Sequence, residues 1–213
     1  DFFRRALGDC DFLINPIQKE DVIQKLLNEG YIRDESGHPF HVQFTKPNQD
    51  LEMHFDIPGI PSGNLGEYVR TYISDVLTDS IVFKNQGNEF YIPAPSKHGL
   101  IILLHMQKHM LTSGIGIRHL MDWCYYVDST SKEDFWDKEL LPLLKKIGML
   151  KYASIMTLIG NIYLGTKCPE WVDSSDVELA DSVMEDILLS GNFGRKDRER
   201  SSGGLFITTS RNN

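Results

Sequence analysis

In the first 94 positions, hydrophobic and polar residues alternate in short segments. Apolar runs and period-two alternation predict strands near residues 9–14, 40–46 and 50–57, and the polar stretch "KPNQ" predicts the turn between the last two. Between the first two strands, "IQKEDVIQKLLNEG" has the spacing of an amphipathic helix that closes at a glycine. We therefore expect these three strands to lie in one sheet with helices beside it.

Beyond residue 95 the pattern changes to helical spacing. Segments such as "SKHGLIILLHMQKHMLT" and "KYASIMTLIGNIYLG" repeat apolar residues at intervals of three and four, with short breaks between segments. The final residues are polar and rich in Gly and Ser. The pattern predicts an α+β protein with a mixed sheet and flanking helices in residues 1–94, a helical bundle in 95–190 and a loosely ordered tail in 191–213.

Composition narrows the range of partners. The 213 residues carry a net charge of −8, which argues against nucleic acid as a partner. No apolar run reaches the roughly 18 residues of a membrane span, so we expect no membrane partner. The three cysteines are far apart and lack metal-ligand spacing, which favours free thiols in a reducing compartment, the cytoplasm.

Two aspartates stand one residue apart at the start of the first predicted strand. Because side chains two positions apart share a face, Asp9 and Asp11 point together, away from Phe12. Such a pair also occurs at solvated strand ends, but a divalent cation would remove the repulsion, and oxygen ligands suit Mg²⁺. Without metal the repulsion predicts that Asp11→Asn is slightly more stable than the wild type. On a neighbouring strand, Glu52 would add a third carboxylate, and three fit two metal ions about 4 Å apart.

Histidines recur on the helix "HGLIILLHMQKHM". His98, His105 and His109 fall on nearly one face, and the last two have the spacing of a zinc pair to which Asp122 would add a carboxylate. Histidines in an apolar helix are also common as hydrogen-bonded core residues, and Asp122 has the spacing of an ion pair with Arg118. The sequence leaves these interpretations open.

Three blocks carry a family resemblance: "RRALGDCDFLI", "LEMHF" and "LIILLHMQKHMLTSGIGIRHLMDWCYYV". In that order they resemble the poorly characterised bacterial nucleotidyltransferase family of the DNA polymerase β superfamily. The resemblance implies a nucleotidyltransferase-like fold and two Mg²⁺ ions, or Mn²⁺ in their place. It also implies a Gly-containing helix N-terminus for the triphosphate, which we expect upstream of Asp1.

The resemblance also assigns roles to residues. It places catalysis and metal ligation on Asp9, Asp11 and Glu52. The residues expected to bind nucleotide are Gly8, Lys108, His109 and Arg118, and the accessory ones are His54, His105 and Asp122.

The predicted function is transfer of a nucleoside monophosphate from an NTP to an unknown acceptor, with release of pyrophosphate. Two alternatives remain from the residues themselves. One is a zinc-dependent hydrolase built on His105, His109 and Asp122, and the other is a non-catalytic module that binds a nucleotide or a partner.

Overall fold

The structure is a computed structural model that describes residues 9–35, 37 and 40–190, so Gly8 and the predicted tail lie outside it. The chain divides into two compact units, Asp1–Pro58 with Leu77–Asp79 and Gly59–Val76 with Ser80–Asn213. The sequence placed residues 59–76 and 80–94 in the first domain. The boundary at residue 94 stays a prediction.

The described part of the first unit contains one helix and four strands. In chain order these are β1 (Cys10–Leu13), α1 (Lys19–Asn28), β2 (Ile32–Arg33), β3 (His41–Lys46) and β4 (Gln49–His54). The strands form one mixed sheet in the order β1-β4-β3-β2, in which β1 and β4 are parallel and the other pairs are antiparallel. The three predicted strands are therefore confirmed as members of one sheet, while the two-residue β2 was not predicted.

A tight turn sets the register of β3 against β4. The loop has only two residues, Pro47 and Asn48, and Asn48 adopts a φ of 63°, which asparagine tolerates better than most residues. Lys46 therefore pairs with Gln49, and the ladder continues to the pair His41 and His54. Every side chain on β4 is fixed in position relative to β3 by this turn.

One face of the sheet is apolar and carries the core of this unit. Val42, Phe44 and Met53 are buried together with Ile23 of α1 and with Ile14. Because β-strand side chains alternate, burying these residues forces their neighbours along β3 and β4 onto the opposite face. That opposite face is where the acidic and histidine side chains lie.

The second unit holds a hairpin and six helices within the described residues. They are α2 (Gly63–Tyr72), β5 (Ser80–Asn85), β6 (Asn88–Pro93), α3 (Pro95–Thr112), α4 (Ile117–Thr130), α5 (Leu141–Lys146), α6 (Leu150–Leu164) and α7 (Val177–Ser190). β5 and β6 pair antiparallel as a hairpin. With the first unit, this gives seven α-helices, a mixed four-stranded sheet and a small antiparallel sheet, so the predicted α+β class is confirmed.

Close packing holds the helices of the second unit together. Trp123 of α4 is fully buried, and its indole N–H donates to Thr157 Oγ1 of α6 at 2.9 Å. Gly99 of α3 lies directly against the Tyr126 ring, so any larger side chain there would clash with it. Among the described helices, no single one is both long and apolar enough to span a membrane. One pair of helices in the described chain, Trp136–Lys146 with Leu150–Leu164, has the required length and composition when taken together, but it is bent by 118°.

Candidate active site

The parallel pairing of β1 with β4 brings two predicted acidic residues together. Asp11 is directly opposite Glu52, and Leu13 is opposite His54. Phe12 and Met53, also paired, face the apolar core, so Asp11, Glu52 and His54 lie on the other face. Two carboxylates and an imidazole are thus assembled from segments that are distant in sequence.

His54 lies between the two carboxylates. Its Nε2 is 2.7 Å from Asp11 Oδ1 and 3.4 Å from Glu52 Oε2, and the residue is only 5% exposed. Burial alone would lower the pKa of His54, but the hydrogen bonds and negative charges of Asp11 and Glu52 outweigh it and raise the pKa to about 9. At neutral pH the metal-free site therefore holds an imidazolium between two carboxylates.

The pKa values of Asp9 and Glu52 are shifted in opposite directions. Asp9 is accessible to solvent, yet partial burial and then the charges of Asp11 and Glu52 raise its pKa above the ordinary value. Hydrogen bonding to His54 is the main reason that the pKa of Glu52 is lowered, with His41 contributing a further favourable charge. The charges that shift the pKa of Asp9 are negative, whereas His54 and His41 contribute positive charge beside Glu52.

The ion pair of His54 predicts how stability depends on pH without metal. The pKa of His54 in the folded protein lies above the ordinary histidine value of 6.5, so the stabilisation is complete below about pH 6.5 and is lost as the pH rises through about 9. Thermal melts in chelator across this range measure the loss, with His54→Gln as the comparison. Curves of equal slope for the two proteins would contradict the assignment.

His41 joins the site although the sequence analysis did not select it. Its position opposite His54 places the two ring centroids 5.1 Å apart, and its Nδ1 is 3.8 Å from Glu52 Oε2. Among the described residues, one group of three potential metal ligands has all its ligand atoms within 4.8 Å of one another, and it consists of His41, Glu52 and His54. The short turn at "KPNQ" aligns His41 with His54, so its length was the sequence signal that could have identified His41.

A cavity of about 250 Å³ also lies in the first unit and shares a wall with this site. His41 and Gln43, both on the site face of β3, line it. The remaining charged side chains around it are Lys19, Arg33, Asp34 and Glu35. The cavity offers space for a polar ligand beside the carboxylate face.

The histidines of α3 behave as a separate cluster in the second unit. His105 Nε2 and His109 Nε2 are 2.9 Å apart, and the ring of His119 on α4 lies 5.3 Å from that of His109. His98 instead packs edge-on against Tyr126, with ring centroids 5.8 Å apart. His105 and His109 do not join Asp122 in a compact three-ligand group within the described chain.

The remaining predicted nucleotide contacts lie in the second unit. Lys108 and His109 are half-buried on α3, and Arg118 is half-buried near the start of α4. Asp9, Asp11 and Glu52 belong to the first unit. A shared site for all of these residues stays a prediction.

Comparison with known proteins gives one match. Neither a curated protein nor a solved structure shows significant similarity to the chain. The model of a family described as uncharacterised nucleotidyltransferase matches residues 2–165, which confirms the resemblance seen in the sequence. Because the match covers well over half of the chain, including the whole four-stranded sheet, the protein belongs to this uncharacterised nucleotidyltransferase family.

Proposed function

We propose that this protein is a metal-dependent nucleotidyltransferase that moves a nucleoside monophosphate from an NTP to an acceptor and releases pyrophosphate. Family membership supports nucleotidyltransferase activity in general. The observation that carries the more specific proposal is the interaction among Asp9, Asp11 and Glu52. Asp11 is paired with Glu52 across β1 and β4, and the charges of both residues raise the pKa of Asp9.

The residues fit the divalent ions that nucleotidyltransferases generally use. Carboxylate oxygens are the donors that Mg²⁺ prefers, and Mn²⁺ accepts them as well. The raised pKa of Asp9 reflects partial burial and an excess of negative charge, which a cation would relieve. Two divalent ions held by Asp9, Asp11 and Glu52 would neutralise the triphosphate and activate the attacking oxygen.

The protein's own part in the reaction is to position groups and to accept a proton. The acceptor oxygen forms a bond to the α-phosphorus, the bond from that phosphorus to the bridging oxygen breaks, and pyrophosphate leaves with the bonding electrons. The acceptor's proton passes to a carboxylate, for which we assign Glu52. When no metal is bound to His54, this residue holds Asp11 and Glu52 in place through its short contacts to both.

Basic side chains of the second unit complete the proposal. Lys108, His109 and Arg118 would contact the phosphates, as would the backbone at Gly8. The net charge of −8 supports a small nucleotide rather than nucleic acid as the partner. Free thiols at all three cysteines, one of them the buried Cys124, support a location in the reducing cytoplasm.

Binding of nucleotide to the wild-type protein tests this function. Thermal melts are recorded with Mg²⁺ alone, with each NTP alone and with the two together. A ligand that binds only the folded state stabilises it by about 2.7 kcal/mol at a hundredfold excess over Kd. We expect this shift only when an NTP and Mg²⁺ are both present. A protein that no NTP stabilises in the presence of Mg²⁺ would overturn the proposal.

Pyrophosphate release then separates an enzyme from a module that only binds. The assay uses wild-type protein, Mg²⁺ and the NTP that gave the largest shift, with alcohols, phosphate esters and proteins as acceptors. We expect release that stops when a chelator is added. Tight binding with no release from any acceptor class would favour the non-catalytic alternative.

A further inference from the structure

A compact ligand set of two imidazoles and one carboxylate lies next to the carboxylate pair. His41, Glu52 and His54 stand on β3 and β4, and their ligand atoms are all within 4.8 Å of one another. Glu52 Oε2 is the common atom, 3.4 Å from His54 Nε2 and 3.8 Å from His41 Nδ1. The three carboxylates Asp9, Asp11 and Glu52 do not form a group this compact.

These separations are close to those of ligands that share a metal ion. Nitrogen and oxygen ligands sit about 2.0–2.2 Å from Zn²⁺, so two of them at tetrahedral angles are roughly 3.3–3.6 Å apart. The observed 3.4 and 3.8 Å need only small side-chain adjustments. The backbone supports this placement, because His41 and His54 are paired directly across the ladder that the Pro47–Asn48 turn fixes.

The ligand types also differ from those of an Mg²⁺ site. Mg²⁺ takes oxygen ligands and keeps several of its waters, whereas imidazole favours the later divalent metals such as Co²⁺ and Zn²⁺. Three protein ligands would leave a fourth position open for water or substrate, as in catalytic zinc sites. The chemistry of this group therefore selects a different ion from that expected at Asp9 and Asp11.

We infer that His41, Glu52 and His54 form a mixed-donor metal position that takes a divalent transition metal in preference to Mg²⁺. This inference deepens the proposed function and rests on it only through Glu52. The Glu52 carboxylate is shared with the oxygen-only position, by which we mean the Mg²⁺ position proposed at Asp9 and Asp11. Metal at His54 Nε2 replaces the hydrogen bond that this atom makes to Asp11. Asp11 then becomes available to the neighbouring ion.

A cobalt titration tests the inference, because four-coordinate Co²⁺ with nitrogen ligands absorbs visible light far more strongly than Co²⁺ with six oxygen ligands. The main variant is His41→Gln, which removes one ligand from a half-buried position on the sheet face. The matched control is His105→Gln, because His105 and His109 are also a close histidine pair but belong to the second unit. A second control, Asp9→Asn, alters the position of Asp9 and Asp11 without removing any of the three ligands His41, Glu52 and His54.

We expect wild-type protein to bind Co²⁺ with visible bands that His105→Gln and Asp9→Asn retain. His41→Gln should lose these bands and bind Co²⁺ at least about tenfold more weakly, since loss of even an outer-shell partner can cost that much. Unchanged binding in His41→Gln, or loss of the bands in His105→Gln, would overturn the inference.

Competition supplies a measurement that needs no variant. A large excess of Mg²⁺ should leave the cobalt bands of the wild type unchanged, and their displacement by Mg²⁺ would contradict a mixed-donor site. The result of the cobalt experiments can be distinguished from the result of the NTP binding experiments that test the proposed function. Cobalt bands in a protein that no NTP stabilises would overturn the transferase and leave the metal position standing, and stabilisation by NTP without cobalt bands would do the reverse.

Discussion

Asp11→Asn is expected to abolish the stabilisation that Mg²⁺ and NTP together give to the wild-type protein. The amide is nearly isosteric with the carboxylate, so the core on the opposite face of the sheet is preserved, but the charge that holds the ion is gone. At a hundredfold excess of ligand over Kd, the wild type should gain about 2.7 kcal/mol and the variant close to none. Thermal melts with and without ligand measure the difference.

A paired variant controls for the effect of charge alone. The sequence predicted that Asp11→Asn would be slightly more stable than wild type without metal, because Asp9 and Asp11 repel. In the structure, Asp11 accepts a 2.7 Å hydrogen bond from His54, which favours its charged form. The pKa of Asp9 is raised, so we expect the gain in stability from Asp9→Asn instead. In chelator, Asp9→Asn should therefore melt above Asp11→Asn. Equal ligand shifts in wild type and both variants would mean that neither aspartate binds the metal.

Phe44→Ala is expected to cause the largest loss of stability in the first unit. Phe44 is fully buried in the middle of β3, in the cluster that includes Met53 and Ile23. Truncating a buried phenylalanine removes its transfer free energy and leaves a cavity, at a cost of about 3–5 kcal/mol. Denaturant unfolding followed by circular dichroism measures this loss.

The control for that substitution is an apolar residue of the same unit that lies on the surface. Ile17 is 90% exposed, so Ile17→Ala should change the free energy of unfolding by no more than about 0.5 kcal/mol. A similar loss in both variants would show that the apolar face of β3 does not hold the sheet together. The comparison matters for function, because this packing is what turns Glu52 and His54 to the opposite face.

The sheet was predictable from the sequence because its signals are local. Alternation identified β3 and β4, and the spacing of Asp9 and Asp11 predicted that their side chains share a face. A two-residue turn between β3 and β4 also fixes the register, so the pairing of His41 with His54 was available from the turn length. It was missed because the turn was not used to align β3 with β4.

Other features of the site depend on contacts that local patterns do not encode. That Asp11 rather than Asp9 pairs with His54 follows from the parallel register of β1 on β4, which no turn sets. The raised pKa of His54 then depends on two carboxylates, whose combined effect outweighs the opposite effect of burial. The two residues of β2 are too few for a periodic pattern to identify.

The parallel pairing of β1 also bears on the order in which the site is assembled. β3 and β4 are joined by a two-residue turn, and hairpins of this kind form in about 1–10 μs. Asp11 and His54 are separated by 43 residues, so their contact requires a much longer chain segment to close, which costs entropy before any interaction repays it.

This assembly allows β1 to detach without opening the β3–β4 hairpin. β1 is four residues long, and within the described sheet it lies at an edge and pairs only with β4. Local opening there would separate Asp11 from Glu52 while the β3–β4 hairpin stays intact. An ion bound between these carboxylates would therefore act as a cross-link between the two strands. Amide hydrogen exchange in β1 would then slow when metal binds, and exchange in the hairpin would change little.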